Sequence, residues 1–135
     1  MDLDMLSLKP LDELRKYNLV LGEEKIVCQA EQEALNLRYR LRIANYMFGG
    51  IPKHPFLHRI MERATIILKS QQEILDITGP GLLTDTYWDN YGMYTDITLL
   101  RNTDKRCRQP YHNEISCHFG DYAAHLHAGT WRTGI

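Results

Sequence analysis

The segment IPKHPFLHRIMERATIILKS, residues 51–70, carries the clearest structural signal in the chain. Pro55 stands where the first turn of a helix tolerates proline, and apolar residues recur after it at helical spacing. We therefore predict a core-facing helix from about residue 55 to residue 73. The residues on its apolar face are Leu57, Ile60, Met61, Ala64, Ile67 and Leu68.

Strand and helix patterns alternate ahead of this helix. Residues 1–8 alternate and are interpreted as the end of a strand, and residues 11–17 predict a short helix of about two turns. Residues 18–24 and 41–50 predict strands. Residues 29–40 are polar, and we predict a helical or irregular excursion there.

After the long helix, residues 78–92 predict a Gly/Pro turn that opens a second helix ending near Gly92. Residues 96–100 and 113–119 predict short strands, and residues 122–131 predict a last strand or strand-like segment. This order of elements indicates an α/β or α+β fold. We treat residues 1–135 as a single domain, a length that can bury a core.

The composition argues against several classes of protein. The formal net charge is −1, and Lys and Arg are spread along the chain, which does not favour nucleic acid as a partner. The sequence has no apolar run long enough for a membrane span and no visible signal peptide. The three cysteines are a sparse set of odd number, which does not indicate a disulfide framework. We predict reduced thiols, with a Cys107–Cys117 bridge as the alternative.

The chain opens with Asp2-Leu3-Asp4. On a strand, the first and third of these residues point to the same side. Two carboxylates together form an oxygen-rich site that suits Mn²⁺ or Mg²⁺, and such an ion neutralises a nucleotide diphosphate. The simpler explanation is a pair of solvated acids, because an Asp-x-Asp triplet is common by chance.

His125 and His127 share one side of the last predicted strand if it is extended, and one imidazole could complete a metal shell begun by carboxylates. A zinc module built from Cys107, Cys117 and these two histidines is an alternative, although its spacing is unlike the usual zinc patterns. A pair of structural histidines is the plainer interpretation of the same residues.

Five segments follow one another in a recognisable order: DLDMLSLKPLDEL, LGEE, IANYMFGGIPKHPFLHRIM, ITGPGLLTDTY and YAAHLHAGTW. In this order they resemble the DXD-containing glycosyltransferases with a sugar-binding region. That family includes inositol-phosphorylceramide mannosyltransferases, related fungal mannosyltransferases and bacterial capsular polysaccharide enzymes. The resemblance covers nearly the whole chain, apart from residues 25–40 and 92–113.

The resemblance implies a GT-A fold and transfer of a sugar from a GDP- or UDP-linked donor, with retention of configuration, to a glycan or glycolipid. It implies Mn²⁺ or Mg²⁺ as the cofactor. Asp2 and Asp4 match the DXD pair, with Asp4 as the more direct metal ligand and Asp2 towards the ribose or donor sugar. His125 matches a metal- or diphosphate-binding histidine. The positions that match donor- or acceptor-binding residues are Asn45, Gly79, Pro80, Thr130 and Trp131.

Members of this family usually carry a Gly-Gly-x-Tyr segment and a nucleotide-binding βαβ half before the DXD triplet. This sequence starts at the triplet, so we expect the C-terminal part of a longer enzyme or a truncated, non-catalytic remnant of one. The resemblance implies cytoplasmic action at a membrane face for a bacterial protein and the Golgi lumen for a fungal one.

Overall fold

The computed structural model describes residues 1–68, 79–102 and 116–126. Over these ranges the chain is mixed α/β, with two three-stranded sheets and three α-helices. The strands are β1 (Met5–Ser7), β2 (Leu19–Ile26), β3 (Leu41–Gly50), β4 (Ile97–Leu100), β5 (Ser116–His118) and β6 (Ala123–His125). The helices are a 3₁₀ helix (Asp12–Lys16), α1 (Gln29–Ala34), α2 (Pro55–Ile67) and α3 (Pro80–Asp89).

The larger sheet has the strand order β3-β2-β4, with β2 antiparallel to β3 and parallel to β4. Successive side chains of β2 alternate between its two faces, as strand geometry requires. Leu19 and Leu21 face one side, whereas Val20 and Gly22 face the other. Because both faces are buried, β2 forms the centre of the fold.

Helices cover the first of these faces. Phe56 of α2 and Leu83 of α3 pack with Leu19, Leu21 and Ile43 in one apolar cluster. Helix α3 is also fixed by hydrogen bonds to β3, since the Ile43 amide donates to Thr84 Oγ1 at 2.8 Å and Trp88 Nε1 donates to the Leu41 carbonyl at 3.0 Å.

The smaller sheet covers the second face and has the order β1-β6-β5, with both pairings antiparallel. Phe119 and Ala123 pack there against Val20 and Ala44 of the larger sheet. Strand β1, near the start of the chain, therefore pairs with β6, near residue 125. The fold has three layers, with helices, the larger sheet and the smaller sheet in succession.

Several predicted elements are confirmed. The strand over residues 41–50 has the predicted bounds, and β2 and β4 lie where strands were predicted. Helix α2 begins at Pro55, and the buried His54 side chain caps it by accepting from the Phe56 amide at 3.2 Å. The predicted excursion over residues 29–40 consists of α1 and an irregular segment.

Other predictions need correction. Helix α2 ends at Ile67, and Met61 and Leu68 are exposed rather than core-facing. The predicted apolar face of α2 is therefore wider than the part of α2 that other described residues cover. The helix within residues 11–17 is a 3₁₀ helix, and α3 ends at Asp89, before the predicted end near Gly92.

The last two predicted strands are shorter than expected in the described part of the chain, at residues 116–118 and 123–125. Residues 69–73, 113–115 and 127–131 of the predicted elements lie outside the described ranges. Within those ranges, no helix combines the length and apolar character needed to cross a membrane.

Candidate functional site

Asp2 and Asp4 lie in a turn before β1, so the expectation that they form the end of a strand is wrong. The Met5 amide donates to the Asp2 carbonyl at 3.3 Å, and the Asp2 amide donates to the Tyr46 carbonyl at 2.7 Å. Leu3 is fully exposed. From Met5 onward the chain pairs with β6.

The fold brings Asp4 and His125 together. The His125 Nε2 atom lies 3.1 Å from Asp4 Oδ2, and the side chains are 15% and 25% exposed. The backbone supports this contact, because Met5 is the register partner of His125 and the Leu126 amide donates to the Asp4 carbonyl at 2.8 Å. Two of the three predicted metal ligands are therefore in contact.

Two further rings surround His125. The Tyr46 ring stacks on it with a centroid distance of 4.5 Å and an interplanar angle of 27°. The His118 ring lies edge-on to His125 at 5.8 Å and edge-on to Tyr46 at 5.0 Å. Tyr46 Oη is hydrogen-bonded to His118 Nδ1. Tyr46 and His118 are both buried, so this group lies between the two sheets.

Electrostatics favour a protonated Tyr46 phenol. Burial raises its pKa, and the negative charges of Glu24 and Glu23 raise it further. The phenol therefore keeps its proton, and its Oη is hydrogen-bonded to His118 Nδ1.

Glu24 on β2 faces the same group. Burial raises the pKa of its carboxyl, while the positive charges of Lys25, Arg42 and His125 lower it. The site thus combines carboxylates and imidazoles from β2, β6 and the turn before β1.

The contact between Asp4 and His125 allows a test of fit to a metal ion. Two neighbouring ligands of an octahedral ion, each about 2.1 Å from it, lie about 3 Å apart, which agrees with the observed 3.1 Å. The described residues contain no group of three or more metal-binding side chains, and Asp2 is exposed. They therefore offer at most two ligands, Asp4 and His125, whose 3.1 Å separation is also that of a direct hydrogen bond.

The other predicted site residues within the described ranges lie on β3 and at the start of α3. Asn45 is exposed on β3, next to Tyr46. Gly79 and Pro80 begin α3, which packs on the opposite face from Tyr46. Thr84 contacts Ile43 and Trp88 contacts Leu41, so α3 is antiparallel to β3. The start of α3 therefore lies towards the half of β3 that contains Tyr46.

Some predicted residues lie outside the described ranges, namely Cys107, His127, Thr130 and Trp131. Cys28 is a free, exposed thiol. Cys117 is disulfide-bonded, so the prediction of reduced thiols is wrong for this residue. An odd number of cysteines does not prevent pairing, and a disulfide sulfur lacks the thiolate that a zinc module requires.

The predicted site residues did not include Tyr46, His118 or Glu24. The alternation of β3 gives a partial signal, because Tyr46 lies two residues from the buried Ala44 and so shares its face. Contact with His118 and His125 depends on how the sheets stack, which the local pattern does not specify.

No family model matches the chain, and neither the curated proteins nor the solved structures give a match.

Proposed function

We propose that this chain carries the metal and donor site of a retaining glycosyltransferase of the GT-A type. The reaction would move a hexose, such as mannose, from a GDP- or UDP-linked donor to a glycan or glycolipid. One observation carries the proposal: Asp4 and His125, matched by motif order at opposite ends of the chain, lie 3.1 Å apart. The mixed α/β architecture is compatible with it.

Asp4 and His125 would hold Mn²⁺ or Mg²⁺, and the bound ion would neutralise the diphosphate leaving group. Asp2, exposed at the same turn, would contact the ribose or donor sugar. Asn45 and the Gly79-Pro80 turn would line the donor or acceptor pocket. Thr130 and Trp131 would lie against the nucleotide sugar, as the family resemblance implies.

The alternative is a non-catalytic remnant. Its support is that Asp4 and His125 are already in direct contact, and that no third metal-binding side chain joins them in the described ranges. In that case the contact only stabilises the smaller sheet.

The test is titration calorimetry of the chain with GDP and with UDP, with and without Mn²⁺. We expect Mn²⁺-dependent nucleotide binding that weakens at least about tenfold in Asp4→Asn and His125→Ala, because each variant removes a ligand. Asp12→Asn, at an exposed acid of the 3₁₀ helix, is the matched control and should bind normally. Equal binding by Asp4→Asn and wild type would exclude Asp4 from the role, and absence of binding in all chains would favour the remnant.

A further inference from the structure

We propose that Tyr46 is a positioning residue that fixes the His125 imidazole against Asp4, and that His118 anchors Tyr46. The metal-binding part of this inference rests on the proposed function. The positioning part rests only on the contacts between the three rings.

The contacts restrict His125 from several directions. Its Nε2 atom faces Asp4 Oδ2 at 3.1 Å, one ring face is stacked on Tyr46 at 4.5 Å, and the His118 ring lies edge-on at 5.8 Å. A ring held on its face and at its edge has little freedom to rotate. Asp4 therefore meets an imidazole that is already oriented, which is how supporting residues usually tune a metal-ligating histidine.

Tyr46 connects the larger sheet to the smaller one. It lies on the ten-residue strand β3, whereas His125 lies on the three-residue strand β6. The Tyr46 carbonyl also accepts from the Asp2 amide at 2.7 Å. One residue of the larger sheet thus holds the turn that carries the acids and the ring of the histidine.

The hydroxyl of Tyr46 makes a different contact from the Tyr46 ring. It is hydrogen-bonded to His118 Nδ1, which fixes the rotation of the Tyr46 ring about its own side-chain bonds. A phenylalanine at this position would keep the stack on His125 and lose the anchor on His118.

The competing explanation is that Tyr46 is an ordinary core residue, because it also packs with Val20, Ala44 and Met47. Loss of stability alone cannot separate the two explanations. The test therefore needs a readout of the His125 side chain itself and a control of similar burial.

The experiment compares Tyr46→Phe, Tyr46→Met and Met47→Ala in the full chain. Tyr46→Met fills the core without a planar ring. If Tyr46→Met does not fold, Tyr46→Leu takes its place in the comparison. Met47→Ala makes a cavity in the same core cluster. The first readout is the three-bond coupling that reports the χ1 angle of His125 by NMR, without metal. The second is Mn²⁺ affinity in the presence of GDP or UDP.

We expect a single His125 rotamer in wild type and Met47→Ala, partial rotamer averaging in Tyr46→Phe because the anchor on His118 is lost, and full averaging in Tyr46→Met. We expect Mn²⁺ affinity to fall about tenfold in Tyr46→Met and less than threefold in the other two variants. A folded Tyr46→Met or Tyr46→Leu chain with a single His125 rotamer would overturn the inference. Absence of Mn²⁺ binding in wild type would refute the proposed function, while the rotamer measurement would still decide the role of Tyr46.

Discussion

At the scale of single residues, Gly22 sets how closely the two sheets approach. A Cβ atom added at Gly22 would lie 2.9 Å from Phe119 Cδ2 and 3.3 Å from Phe119 Cα. Phe119 itself has φ +54°, a left-handed conformation that is uncommon for an aromatic residue, and it is buried in the turn between β5 and β6. The approach of this turn to β2 therefore requires a residue without a side chain.

We predict that Gly22→Ala lowers the free energy of unfolding by about 1–3 kcal/mol, because overpacking forces the backbone at Phe119 to shift. Denaturant unfolding measures this. Gly49→Ala is the matched control, since a Cβ atom there meets nothing within 4 Å, and its effect should stay within about 1 kcal/mol. Equal effects of the two substitutions would show that the sheets are not in tight contact at Gly22.

At the scale of elements, Asp89 at the end of α3 connects three parts of the chain. Its carboxylate accepts from Arg38 at 2.6 and 2.9 Å, from Tyr39 Oη at 2.6 Å and from Arg63 of α2 at 3.1 Å. Burial alone would raise its pKa, but these hydrogen bonds outweigh burial and lower the pKa to about 2. The charged form of Asp89 is therefore the one that holds α2, α3 and the start of β3 together.

We predict that Asp89→Asn destabilises the protein by about 1–2 kcal/mol at pH 7, allowing for solvent screening. A carboxyl whose folded-state pKa is lowered contributes fully above its unfolded pKa of about 4, and the contribution is lost as the pH falls towards 2. The difference in unfolding free energy between wild type and Asp89→Asn should therefore shrink from pH 5 to pH 2, as measured by urea unfolding. A difference that is constant over this range would assign no role to the charge.

The extent to which sequence predicted this fold also differs between elements. β3 and the start of α2 were predictable, because alternation, Gly49-Gly50 and Pro55 are local signals. The exposure of Met61 was not, because helical spacing does not specify how much surface other elements cover. The family resemblance implied that Asp4 and His125 are metal ligands; the structure places them 3.1 Å apart, and the ligand role stays a prediction.

Other parts of the site depend on long-range packing that no local pattern encodes. The third residue of the LGEE segment, Glu23, is buried and accepts from Arg101 Nε at 2.9 Å and from the Asn102 amide at 3.0 Å. Asn102 in turn accepts from the Gly120 amide at 3.3 Å. This chain of hydrogen bonds positions the turn between β5 and β6, and its members are far apart in sequence.

At the scale of the whole molecule, the two sheets differ in how they are built. The larger sheet consists of an eight-residue and a ten-residue strand with a short parallel neighbour, and it is covered on both faces. The smaller sheet pairs three-residue strands from near the start of the chain and near residue 125. Its strands are only three residues long, so few backbone hydrogen bonds hold it together. We therefore expect the smaller sheet to open before the larger one.

Native-state hydrogen exchange measures this order of opening. We expect amides of β2 and β3 to exchange at the global unfolding free energy and those of β1 and β6 to exchange faster. Asp4→Asn should speed exchange in β1 and β6 together by about fivefold, the effect of roughly 1 kcal/mol, and leave β2 and β3 nearly unchanged. Glu62→Gln removes an exposed acid that pairs with His58 at 3.1 Å within α2, and it should alter neither sheet. Faster exchange spread equally over both sheets in Asp4→Asn would mean that they unfold as one unit, and that the Asp4–His125 contact supports the whole fold rather than the candidate site alone.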